Sequence, residues 1–99
     1  MASDKKVAIV TGSARGIGES TAVMLAERNY NVVVNYASSA GEAKATAEVC
    51  ERAGAEVLLV QGDIAVDADC RCIVDETMVK WGRLDVLVNN AGTTTYVNH

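Results

Sequence analysis

Apolar residues in this chain fall into four short continuous runs, separated by longer stretches with helical spacing. Val7–Thr11 runs without a polar break until its threonine, as in a strand buried on both faces. Val32–Asn35, Val57–Gln61 and Leu84–Val88 repeat the pattern, and their β-branched content suits strands better than helices. Between the first two runs, Ile17, Thr21, Met24/Leu25 and Arg28 recur every three or four residues, predicting a helix from Gly16 to about Arg28. A second helix carries Ala43, Ala47 and Cys50 on one stripe and is expected to end at Gly54. Ser39-Ala40-Gly41-Glu42 reads as its capping box. A third helix, with Asp67 as its expected cap, carries Cys70, Ile73/Val74, Thr77 and Trp81 before Gly82 stops it. The tail, Thr93–His99, is polar and aperiodic and is expected to be a loop or frayed end.

Strands alternating with helices predict an α/β fold with a doubly wound parallel sheet. Right-handed crossovers carry the first three strands outward and return the fourth beside the first, giving the order 3-2-1-4. The switch point then lies between strands one and four, and ligands of such sheets bind outside that crevice. There the first strand runs into Gly12-Ser13-Ala14-Arg15-Gly16-Ile17-Gly18, a glycine-rich loop followed at once by a helix. Glycines let backbone approach a ligand closely, and a helix N-terminus turns free amides and partial positive charge toward an anion. That order of parts suits a nucleotide phosphate.

Composition narrows the partners. The formal net charge of −4 argues against nucleic acid and anionic membranes, which recruit an excess of Lys and Arg. The apolar run after Met1–Lys6 is too short for a signal-peptide core or a bilayer span, so a cytoplasmic protein is expected. Cys50, Cys70 and Cys72 form no disulfide framework, in keeping with a reducing compartment. Cys70 and Cys72 sit two apart on a helix, on different faces, so no metal site is expected. Trp81 is read as a core aromatic beneath the third helix, and the single histidine, His99, is given no role.

Three segments, in order, carry a family resemblance: Thr11-Gly12-x-x-x-Gly16-x-Gly18 after the first strand, Asp63 after the third, and Asn89-Asn90-Ala91-Gly92 after the fourth. Together they resemble the short-chain dehydrogenase/reductase family over Lys5 to Gly92, which implies a Rossmann-type fold and a dinucleotide cofactor. The resemblance places Gly12, Ser13, Ala14, Arg15 and Gly16 in the loop over the pyrophosphate and adenosine ribose. It gives Ile17 a backbone amide contact to the pyrophosphate, and Gly18 a largely packing role. Asp63 would accept from the adenine amine and Ile64 would donate its N–H to the ring, although Asp63 also reads as a strand-closing or helix-capping residue. One of Asn89 and Asn90 is expected to cross-link strands. Asn90 would also touch the ribose, with Ala91 and Gly92 completing a wall free of bulky side chains.

An acidic residue after the second strand would mark a preference for NAD(H), since a carboxylate accepts from the 2′-hydroxyl and repels a 2′-phosphate. That place holds Asn35 here, with Ser38 close by and Arg15 in the glycine loop. NADP(H) is therefore expected over NAD(H), with Arg15 and Ser38 binding the 2′-phosphate, although Asn35 can also bond a free 2′-hydroxyl and Arg15 also reads as a solvated surface charge. The same resemblance implies a Ser and a Tyr-x-x-x-Lys pair for proton transfer. Tyr30 is followed four on by Val34 and Tyr36 by Ala40, and Tyr96 has only three residues after it, so no catalytic residue is assigned. Residues 1–99 are thus read as the N-terminal, adenine-side part of one dinucleotide-binding domain. The parent enzyme would exchange a hydride between NADP(H) and a carbonyl or alcohol, forming a homo-oligomer once the C-terminal catalytic segment is present. The alternative is a self-contained nucleotide-binding or regulatory module without chemistry. The expected bare edge of the fourth strand favours the enzyme.

Overall fold

The computed structural model describes residues 5–14 and 16–90, together with the backbone of 95–97. Its elements follow in the order β1 (Val7–Thr11), α1 (Gly16–Glu27), β2 (Asn31–Tyr36), α2 (Ala40–Arg52), β3 (Val57–Gln61), α3 (Asp67–Trp81), β4 (Val86–Asn89) and β5 (Thr95–Val97). The sheet order is β3-β2-β1-β4-β5. The first four strands are parallel, in the predicted 3-2-1-4 order, and β5 runs antiparallel to β4.

Alternation along the strands splits the core into two layers. Ala8, Val10, Val32 and Val34 pack with Ala22, Leu25 and Ala26 of α1 and Ala43, Ala47 and Cys50 of α2. Val7, Ile9, Val33 and Val60 pack on the opposite face with Ile73 and Trp81 of α3. Every residue of β1 is fully buried, so each of its aliphatic side chains larger than alanine contributes about 1.5–3 kcal/mol by leaving water. That central strand is the rigid base from which the glycine loop projects. Trp81 sits in the second layer and donates its indole N–H to Glu56 Oε1 at 2.8 Å.

Four expectations need correction. Residues 95–97 are a strand, not part of a loop, so β4 has a neighbour on the edge expected to be bare. An open edge of N–H and C=O groups pairs readily, and Thr-Tyr-Val has the residue types for it, but three residues are too few to show alternation. β4 begins at Val86 because Asp85 is held differently: its N–H reaches Val7 O at 2.9 Å, and its carboxylate takes the Val7 N–H at 2.8 Å. Ser39 occupies the cap position of α2, yet its side chain makes no cap bond; its backbone (φ −94°, ψ 63°) lies outside the usual cap conformation. Asp67 is the first residue of α3, not its cap. Val66 holds the cap position with extended backbone, and Asp67 pairs on the surface with Arg71 at 3.2 Å.

Candidate functional site

At the carboxyl edge of β1 the backbone turns sharply. Gly12 and Gly16 have φ of 61° and 65°, the left-handed region that glycine enters without a Cβ penalty. The intervening loop is bound into the protein at each described step. Gly12 N–H donates to Asn35 Oδ1 at 3.2 Å, and Ser13 N–H donates to Asn35 O at 2.9 Å. Ser13 Oγ donates to Val10 O at 2.7 Å and accepts the Asn35 N–H at 3.0 Å. Ala14 is buried, and its carbonyl accepts from Thr46 Oγ1 of α2 at 3.0 Å. Ser13 is fully buried with its side chain and its N–H both engaged inside the protein, so the residue expected to line the cofactor instead braces the loop from within.

Gly18 closes the loop from the helix side. A β-carbon there would overlap the Gly12 carbonyl oxygen and lie 2.5 Å from Asn90 Nδ2. Gly16, by contrast, faces open space. Ile17 is 78% exposed at the start of α1, where the first amides have no partner within the helix. The N-terminus of α1, whose first amides have no carbonyl partner within the helix, is of the kind that suits an anion.

The end of β4 is fastened to the same loop through Thr11. Thr11 Oγ1 donates to Asn89 Oδ1 at 3.1 Å and accepts the Asn90 N–H at 2.9 Å. Asn89 is thus the asparagine that cross-links strands, while Asn90 is half-buried with its amide beside Gly18. Arg15, Ala91 and Gly92 lie outside the described residues.

Asn35 requires a correction. It is 2% exposed, and both ends of its amide are engaged inside the protein. Nδ2 donates to Val60 O and Gly62 O, each at 3.2 Å, while Oδ1 accepts from Gly12. Its side chain therefore faces the exits of β1 and β3, not a ribose. Parity explains this: Asn35 is two residues beyond Val33, on the face that carries α3. Ser38 is exposed in the bend after β2.

Beyond β3, Asp63 is exposed and its carboxylate closes a short turn by accepting the Ala65 N–H at 2.9 Å. Its own N–H donates to Asp69 Oδ2 at 2.8 Å, and its carbonyl accepts from Val66. Asp63 therefore shapes the connection into α3 without capping that helix. Ile64 is half-buried, with its carbonyl accepting the Cys70 thiol at 3.0 Å.

Three structural residues escaped the sequence reading. Thr11, read only as the first residue of the glycine motif, and Thr46, on the buried Ala43/Ala47 face of α2, brace the loop. Asp85 acts at the opposite edge of the sheet, where Arg83 grips it through Nε and Nη2 at 2.9 and 2.8 Å. Those bonds and the Val7 amide hold its carboxyl below the usual value, against a smaller opposing effect of burial.

The family model described as short chain dehydrogenase matches residues 6–99. The chain belongs to the short-chain dehydrogenase family. It is 45% identical to a 3-oxoacyl-(acyl-carrier-protein) reductase of Staphylococcus aureus, over 90% of this chain and 36% of that one. It is also 45% identical to a ketoacyl reductase of the granaticin polyketide synthase of Streptomyces violaceoruber, over 99% of this chain and 38% of that one. A crystal structure of a short-chain dehydrogenase/reductase from Burkholderia xenovorans superposes with a TM-score of 0.88 at 38% identity, covering 98% of this chain and 40% of that chain. The chain thus spans roughly two fifths or less of the short-chain dehydrogenases it matches. Among the described residues, no helix is long and apolar enough to cross a membrane, and no three His, Cys, Asp or Glu residues are grouped to hold a metal.

Proposed function

We propose that these residues form the cofactor-binding part of an oxidoreductase that moves a hydride between NADP(H) and a carbonyl or alcohol. The observation carrying this reading is the glycine loop: a Cβ at Gly18 would collide with Gly12 and Asn90, while Gly16 opens onto empty space. A plain strand-to-helix turn has no need of so tight a closure below and so open a face above.

The chain's residues then divide the work. The exposed backbone of Gly16 and the Ile17 amide hold the pyrophosphate, while Gly12, Ser13 and Ala14, bound into the protein, shape the loop beneath it. Asp63 and Ile64 take the adenine, and Asn90, Ala91 and Gly92 line the ribose. Asn35 leaves the list of direct contacts, so the NADP(H) preference rests on Arg15, Ser38 and a β2 exit, Tyr36-Ala37, that lacks a carboxylate. The bound nicotinamide supplies or accepts the hydride. The proton donor is sought outside residues 1–92, because Tyr30 and Tyr36 have Val34 and Ala40, not lysine, four positions later. Two relatives are named for keto reduction, which favours a carbonyl as the substrate of the longer protein.

One observation favours a second reading, a nucleotide-binding module without chemistry: β5 occupies the β4 edge whose exposure was the argument against it. Turnover separates the two. A protein carrying these residues with a Ser and Tyr-x-x-x-Lys downstream should oxidise NADPH in the presence of a ketone. Tight NADPH binding without turnover, across a panel of ketones and alcohols, would favour the module.

A further inference from the structure

One side chain touches both parts of the proposed nucleotide site without facing the ligand. Asn35 Oδ1 receives the Gly12 N–H at the start of the glycine loop, and its Nδ2 donates to Val60 O and Gly62 O where β3 ends. Its backbone is bound to Ser13 in both directions, by the Ser13 N–H to Asn35 O and the Asn35 N–H to Ser13 Oγ. Gly62 is itself tied back to β2 through Tyr36 O at 2.9 Å. The loop proposed to hold pyrophosphate and the segment proposed to hold adenine therefore meet at one buried amide.

We infer that Asn35 is a positioning residue that fixes the glycine loop against the β3 exit, setting the distance between the phosphate and base subsites. This rests on the dinucleotide reading above. The site demands an amide, for a reason of hydrogen-bond inventory: one acceptor must face Gly12 while two donors face carbonyls. A carboxylate of the same size keeps the acceptor and loses both donors, placing a charge against Val60 O and Gly62 O. A hydroxyl supplies at most one donor and is too short to span the gap. Only Asn, at this length, satisfies all three partners.

The test uses the longest protein containing these residues, with ADP as probe, since ADP carries both adenine and pyrophosphate and has neither nicotinamide nor 2′-phosphate. Asn35→Ser and Asn35→Asp are compared with wild type by calorimetric titration, well below the melting temperature of each. Both should bind ADP roughly tenfold or more weakly, the effect of one or two buried groups left unpaired. In ligand-free protein, amide exchange should quicken together in residues 12–18 and 61–66 and stay unchanged in 70–80. The penalty of Asn35→Asp, taken as a ratio to wild type at each pH, should shrink as pH falls from 8 to 6, because protonation returns one donor. Variants that melt lower but bind ADP as wild type does would show a role in stability alone and overturn the inference. Loosening of only one segment would overturn it as well. Wild type that binds no ADP would defeat the dinucleotide reading itself, whereas binding indifferent to residue 35 defeats only the present inference. Should neither variant fold, wild-type exchange decides: a Gly12 amide exchanging as fast as an unprotected one contradicts the bond on which the inference stands.

Discussion

Gly18 lies against the Gly12 carbonyl so closely that a single added methyl has no room. The contact brings α1 down onto the end of β1 and leaves the first amides of the helix above the loop. Gly18→Ala must therefore lift the helix or distort the loop, at a cost of about 1–3 kcal/mol for an overpacked site. Chemical denaturation should show that loss, and NADPH titration of the folded variant should show weaker binding. Gly16→Ala meets no neighbour, so its cost should come from backbone strain at φ 65° instead, roughly 1 kcal/mol.

Asp85 ties the two chain segments that enter the sheet at its amino edge. Hydrogen bonds from Arg83 and the Val7 amide hold its carboxyl below its ordinary 3.8. A depressed carboxyl stabilises the fold fully above its unfolded pKa and loses that contribution as pH falls through the folded value. Wild type should accordingly lose stability below about pH 4, and Asp85→Asn should be less stable at neutral pH with a flatter acid limb. Thermal melts from pH 7 to pH 3 measure both. Parallel acid limbs in the two proteins would assign the acid sensitivity elsewhere.

The thiols should react in order of access. Cys50 is buried, and desolvation, aided by Glu51 and Glu19, pushes its thiol up to about 11. Cys72 is exposed and Cys70 is half-buried. Iodoacetamide at pH 8 should modify Cys72 first and leave Cys50 untouched until the protein unfolds. Peptide mass spectrometry over time reads the order, and early labelling of Cys50 would mean that α2 opens from the sheet.

The fold was legible wherever burial imposed an unbroken pattern. β1 ran to its predicted ends because a strand covered on both faces is apolar throughout and is closed by glycine at once. β3, although at the sheet edge and largely half-buried, did so because Val57–Val60 is an unbroken apolar run with Gly62 soon after. The loop was legible because glycine at positions 12, 16 and 18 answers a backbone requirement that no other residue meets. Asn35 was not. Its place at the end of an apolar strand suggested a polar residue facing the ribose, while its direction depends on the parity set by Val33, which periodicity alone does not anchor. The capping errors share a cause, since Ser39 and Asp67 have suitable side chains but the local backbone aims them elsewhere. β5 was hidden because it is only three residues long, too short to show an alternating pattern.

Arg15 is expected to set cofactor choice, as the cation within the glycine loop. Arg15→Ala should narrow the preference for NADPH over NADH by about 1–3 kcal/mol, the scale of a lost charge-assisted bond. Ser38→Ala should narrow it less. An unchanged ratio in Arg15→Ala would move the 2′-phosphate contact to another residue.

Titration of NADPH and NADH into the longest protein containing these residues, with Gly18→Ala alongside, tests the dinucleotide site most directly. The expected result is saturable one-to-one binding of both, tighter for NADPH, and a marked loss for each in the folded Gly18→Ala variant. Absence of binding by the wild-type protein, or equal affinity in a variant whose loop has no room for its new methyl, would contradict the assignment of Gly12–Gly18 to the cofactor.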